Sequence, residues 1–274
     1  MSSKWLQRFE CIFSNAALAA VVVAMLLFPA VAFAQEADFG DAPDFTGGQF
    51  GPGDGAYPSL KNSDNANFAG RTGPYHLDQS HAVLGQRADT ELDARVVNRD
   101  AFDDGFQGFF FFVSQVPVPT HTLVDVTIPG SAPSGTRYIN MAVDFNQDGK
   151  WEQYTNALGG QTDEWVVQNF AIDVPNDIAP GTTQRLYLPG FGWGDGLLFA
   201  YPTWFRITIT DTPLSSGDFG SSGWDGSGPD AGFDYGETED YFWQGAGRGV
   251  APGGSPGEGE GEGEGEGEGE GEGE

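Results

Sequence analysis

Cysteine is almost missing from this 274-residue sequence: the only one is Cys11, inside an N-terminal segment that has the marks of an export signal. Without that segment the chain holds no thiol, which excludes disulfides, thiolate metal sites and a cysteine-borne lipid anchor. Basic residues are scarce too. Twelve Lys and Arg face 40 Asp and Glu, a formal charge of −28, and a chain so short of cations cannot neutralise a phosphate backbone, so nucleic acid is excluded as a partner. Cations are the natural counterpart. Histidine occurs only at 76, 81 and 121, and neither H-E-x-x-H nor G-x-S-x-G is present. The run Gly190-Phe-Gly192-Trp-Gly194-Asp-Gly196 misses the dinucleotide spacing and has no βαβ context. Carboxylates are so abundant that a pair at glycosidase separation carries no signal. No catalytic residue is assigned, and the chain is not expected to be an enzyme.

Lys4 and Arg8 precede an apolar run from Ala16 to Phe28, and Ala32-Phe33-Ala34 puts small residues at the −3 and −1 positions of a cleavage site. Residues 1–34 are therefore read as a signal peptide cleaved after Ala34. An uncleaved anchor helix would need about 20 apolar residues, and no second long apolar stretch follows, so no membrane insertion is expected after cleavage. At the other end Gly257 to Glu274 alternates Gly and Glu, nine of each, after a Gly/Pro-rich stretch from Gly245 to Pro256. Nothing there can be buried and the charges repel, so residues 245–274 read as a disordered spacer or tether. Between the two, residues 35–256 hold 30 acids and 10 bases, a charge of −20. Repulsion on that scale opposes a compact state unless some carboxylates are neutralised, and bound metal ions would do so.

The apolar pattern of the middle has period two. Val124, Val126 and Ile128 share one face, as do Ile139, Met141, Val143 and Phe145, and Phe205, Ile207 and Ile209 alternate with Arg206, Thr208 and Thr210. Leu186 and Leu188 flank Tyr187. Further strands are expected at His81 to Arg87, Ala94 to Arg99, Phe109 to Val113, Glu164 to Ile172 and Glu239 to Gln244. About nine short strands separated by Gly, Pro, Asn and Asp, with no sustained helical period, predict an all-β fold, a two-sheet antiparallel β-sandwich over 81–244. Phe109 to Val113 reads as a core strand in preference to an exposed aromatic platform for polysaccharide. Residues 35–80 lack alternation and read as an irregular arm over the sandwich, pinned by Phe39, Phe45 and Tyr57.

Three groups of residues carry chemistry. Asp144-Phe-Asn146-Gln-Asp148-Gly149-Lys150-Trp-Glu152 closes a predicted strand. Oxygen side chains at positions 1, 3 and 5 with Gly at 6 aim at one centre, as in calcium loops, and Lys150 would add its backbone carbonyl. Position 12 is Thr155 where an EF-hand needs Glu, so the motif is either a shorter calcium loop completed by Glu152 or a bare Asx turn. The second group is Glu237-Thr238-Glu239-Asp240. In a strand Glu237 and Glu239 face one way and Asp240 the other; this is either a second acidic site or, the preferred reading, an ion pair of Glu237 or Glu239 with Arg206 or Arg185. Third, Trp193 and Trp224 in Gly-rich loops either stack on a sugar or plug gaps between loops.

Asp38-Phe-Gly-Asp41-Ala-Pro-Asp44, Leu84-Gly-x-x-Ala-Asp89-x-Glu91-x-Asp93, Asp103-Asp104-Gly105, Ala142-Val-Asp144-Phe-Asn146-x-Asp148-Gly149-x-Trp151, Phe205-Arg206 and Gly236-Glu-Thr-Glu-Asp-Tyr241 occur in that order. Together they resemble the GEVED domain family of exported bacterial proteins, over about residues 38–243. Thr238 stands where the naming signature has Val, and Val143 where the family often has Trp-Ile. The resemblance implies a β-sandwich module of large surface or secreted proteins, often beside adhesion, repeat or protease domains, with no settled ligand or activity. The function expected is a non-catalytic structural or adhesion module, secreted or on a bacterial surface and stabilised by calcium. A carbohydrate-binding module using the loop tryptophans and an accessory domain of an extracellular hydrolase are the alternatives. Calcium ions, polysaccharide or a surface protein are the expected partners.

Overall fold

Alternation at period two becomes strand wherever it was strong. The computed structural model describes residues 37–40, 42–45, 55–60, 72–88, 103–111, 119–156, 158–192, 202–215, 223–244 and 250–252, all within the unit Glu36–Glu274. The expected signal peptide, the strand at Ala94 to Arg99, Trp193, the Phe45 side chain and the Gly-Glu alternation lie outside them. No helix occurs among the described residues, and the fold is an all-β antiparallel sandwich.

The first of the two main sheets orders β11 (Trp165–Val174), β8 (Gly135–Val143), β13 (Thr203–Thr210), β14 (Gly236–Trp243) and β15 (Val250–Pro252). The second is built on β7 (Thr120–Ile128). Along one side β7 pairs with β12 (Thr182–Tyr187), and along the other with β6 (Phe106–Phe111) and then β5 (Val83–Leu84). Between the sheets lies the core that the sequence pattern foretells: Val124, Val126 and Ile128 meet Ile139, Met141, Val143, Phe145, Phe205, Ile207 and Ile209.

The outer face of the first sheet departs from expectation. Arg206, Thr208 and Thr210 were to face solvent, yet every residue of β13 is buried. A second layer of Tyr57, Trp151, Trp224, Leu214 and Phe233 packs on Trp204, Ala142, Trp165 and Phe242. Part of this cover is the arm, in which β1 (Asp38–Phe39) pairs with β4 (Tyr75–His76), and β2 (Asp44–Phe45) with β3 (Gly55–Ala56). Phe39 and Tyr57 are buried, as expected of the pins. Of the phenylalanine run, Phe109 and Phe110 have described side chains, and Phe112 and Val113 lie outside the described residues. Phe106 and Phe109 pack on the interior, while Phe110 is 42 % exposed, because a strand beside solvent sends alternate side chains outward.

Candidate functional site

The Asp144 loop follows β8 directly. Two left-handed residues, Gln147 at φ 60° and Gly149 at φ 82°, fold the chain back on itself. Gly149 is needed twice over, since a Cβ there would also lie 3.1 Å from the Gly55 Cα. Asp144 is fully buried at the centre of the turn. Its Oδ1 accepts from the Asp148 amide at 3.2 Å, and its Oδ2 accepts from the Gly149 amide at 3.0 Å and the Tyr57 hydroxyl at 2.6 Å. Asn146 Oδ1 accepts from the Asp148 amide at 2.9 Å, and Asp148 Oδ1 from the Lys150 amide at 3.1 Å. Asn146 Nδ2 donates to Asp148 Oδ2 at 3.0 Å.

Glu152 does not join this centre: its carboxylate sits 3.3 Å from Lys150 Nζ at the surface. The carboxylate that does reach the loop is Glu164, which was not singled out from sequence. A hairpin of β9 (Tyr154–Thr155) and β10 (Gln161–Thr162) returns the chain. There Glu164 accepts from the amides of Phe145 at 2.7 Å, Asn146 at 3.2 Å and Glu152 at 3.0 Å. The Asp163-Glu164 doublet opening a predicted strand was the available signal. Burial pushes the Asp144 carboxyl up to about 7, with the Asp148 charge adding to it. Glu164 is raised well above the usual carboxylate range by burial and then by Asp144. Among the described residues no arginine or lysine pairs with either.

The acidic strand end corrects the preferred ion pair. Arg206 and Asp240, both fully buried, pair in a fork: Nε donates to Oδ1 at 2.7 Å and Nη2 to Oδ2 at 2.5 Å. Asp240 is the residue opposite Arg206 in the β13–β14 register, and side chains directly across a ladder share a face. Glu237 and Glu239 stand opposite Ile209 and Ile207, so they point to the other face, away from the guanidinium. There they accept from backbone amides, Glu237 from Leu84 and Glu239 from Gly105 at 2.9 Å. Tyr241 also donates to Glu239, at 2.7 Å. Burial pushes the Glu239 carboxyl up to about 8 against the pull of these bonds. Arg185, far along the other sheet, pairs with Asp125 at 2.8 Å instead.

Trp224 is no stacking platform. It is buried, with its indole N–H donated to the Ser227 carbonyl at 2.7 Å and its ring edge-on to Trp165; it plugs the second layer. His76, used in no expected site, is buried against the hydroxyls of Thr238 at 2.8 Å and Thr208 at 3.3 Å. Burial lowers it to about 3.

The fold and these loops define a β-sandwich module whose buried acids organise backbone. Residues 138–244, from within β8 through β14, match the family model of the GEVED domain. The match leaves the arm and the β5–β7 strands outside its span, although the resemblance in motifs began at Asp38. No curated protein and no solved structure matches the chain.

Proposed function

We propose that the chain is a non-catalytic structural or adhesion module, secreted or displayed on a bacterial surface, which calcium stabilises at the Asp144 loop. The observation that carries the reading is the burial of Asp144 and Glu164 with, among the described residues, neutral donors alone, both held above the usual carboxylate range by burial and Glu164 further by the Asp144 charge. Two such carboxylates need a proton or a cation for compensation. An all-oxygen donor set suits calcium. Asp144, Asn146 and Asp148 would hold it with the Lys150 carbonyl and, in the place expected of Glu152, Glu164. The ion would supply charge neutralisation and a cross-link between the loop and β11. Export rests on the signal-like start and the thiol-free remainder of the chain. The tryptophan-based carbohydrate reading loses Trp224, since a buried ring cannot meet a sugar.

Extracellular calcium modules bind at about 10⁻⁴ to 10⁻³ M. At roughly a hundredfold excess over Kd the stabilisation is about 2.7 kcal/mol, which for a domain of this size raises Tm by about 5–10 °C. Thermal unfolding in 10 mM calcium against a chelator should show that rise, magnesium should give less, and Asp148→Ala should abolish it. Equal melting temperatures in calcium and chelator refute the proposal.

A further inference from the structure

The outer face of the second sheet has a composition unlike the rest of this acidic domain. Tyr187 on β12 and Phe110 on β6 flank β7 from opposite sides, opposite Leu123 and His121 respectively. They are 59 % and 42 % exposed, and among the described residues the only other exposed large apolar side chain is Leu158. Their ring centroids are 6.3 Å apart at 87°, so one ring edge abuts the other's face and leaves a shallow corner. Gly108, also opposite Leu123, has nothing within 4 Å of where a Cβ would stand, which keeps the floor of the face open. Beside the rings runs a polar row. Arg185 donates through Nε and Nη2 to Asp125 at 2.8 Å each and through Nη2 to Gln107 Oε1 at 2.7 Å. Those bonds use three of the five guanidinium N–H groups, so among the described residues the Nη1 donors remain for a ligand on a side chain that is 54 % exposed.

We infer that this face binds a neutral polysaccharide, with a sugar ring packed on Tyr187 and Phe110 and its hydroxyls bonded to Arg185. Apolar C–H faces and hydroxyl edges are the two halves of a pyranose, and a ring beside a fixed donor row answers both. Charge favours a neutral occupant: Asp125 offsets the Arg185 charge, and the acidic domain around it repels anionic chains. Size argues against a folded protein partner. At on the order of 200 Å² per aromatic side chain, the pair exposes roughly 200 Å², far below the ~800 Å² per partner of a stable protein interface. This site is separate from the Asp144 loop, and its fate does not depend on calcium.

The test is retention of the full chain on insoluble cellulose, chitin and β-1,3-glucan, in calcium and in chelator. Retention on at least one of them is expected, about tenfold weaker for Tyr187→Ala and for Phe110→Ala, and kept by Tyr187→Phe. Both alanine changes remove exposed side chains, and unaltered melting curves verify that the fold survives. No retention on any of the three overturns the inference, as does retention indifferent to both alanine changes. A concentration-dependent dimer in light scattering that Tyr187→Ala disperses overturns it in favour of self-association.

Discussion

Arg206→Met removes a guanidinium that makes five hydrogen bonds while fully buried. Two go to Asp240, and the others to the carbonyls of Pro58 at 2.7 Å and Gly226 at 2.6 Å and to Ser59 Oγ at 2.8 Å. Methionine can fill much of the stem's volume, including part of the 4.5 Å contact over Trp151, so the loss is electrostatic rather than steric. Breaking a buried pair on one side costs about 3–5 kcal/mol, chiefly because the remaining charge is stranded. Two orphaned carbonyls act in the same direction, without simple additivity. Against a total stability of roughly 5–15 kcal/mol, and with m near ~2 kcal/mol/M in urea, the unfolding midpoint should fall by about 2 M. Pro58, Ser59 and Ala42 all hang on this pair, Ala42 through its amide on Asp240 Oδ2 at 2.7 Å. Limited proteolysis should therefore cut the arm of the variant first. Adding Asp240→Asn, which removes the stranded charge, should recover about half of the loss. A midpoint shift under 0.5 M with unchanged arm protection would refute the assignment of Arg206 as the clasp of the arm.

Glu239 holds a proton in the folded domain that it lacks when unfolded, because its carboxyl lies near 8 against an ordinary 4.5. Its contribution is thus complete below about pH 4.5 and is lost as pH rises through 8, on the order of a few kcal/mol. Glu239→Gln should flatten that part of a urea-midpoint profile measured from pH 5 to 8.5, and an unchanged slope would contradict the reading. Gly236 sits at φ 123°, where a Cβ would lie 1.8 Å from the Ile209 carbonyl oxygen. Gly236→Ala should cost about 3 kcal/mol or more, whereas Gly192→Ala, with open space around it, should leave Tm unchanged; equal shifts in the two would discount the backbone argument.

Strands were legible where one face is apolar and the next residue polar, as in β7, whose burial alternates along its whole length. The same rule misled at β13. Arg206 and Thr208 have the look of a solvent face, and the return across the sheet of the arm and of the loops carrying Trp151 and Gly226 buries them, a long-range event that a local period cannot register. Partner choice failed for a related reason. Period two correctly separated Glu237 and Glu239 from Asp240, but which of the two faces the arginine depends on the register of β13 against β14, and that is set by their connection rather than by either strand. The Asp144 loop was legible because its oxygens and glycine are contiguous. Glu164, twenty residues on, enters only through the β9–β10 hairpin, and no spacing rule marks it.

Five of the buried acids fall into three kinds according to what offsets their charge, and the kinds differ in what should perturb them. Asp240 has a guanidinium, so its share of stability is indifferent to calcium. Glu237 and Glu239 serve the amides of Leu84 and Gly105 as a substitute for a ladder, because β5 and β6 both pair on β7 and, among the described residues, on no other strand. Protonation leaves the Glu239 carboxyl an acceptor oxygen, so its hold on Gly105 persists across its titration, and Gln can replace it. Asp144 and Glu164 also hold amides, but they do so around one loop, where the Asp148 charge acts on both and the Asp144 charge on Glu164. Calcium dependence should therefore disappear in Asp148→Ala and remain intact in Glu239→Gln. Glu239→Gln should remove only the Glu239 share of the pH dependence above neutrality, leaving that of Asp144 and Glu164, and a Glu239 variant that also removed the calcium dependence would mean the two acid groups are not independent.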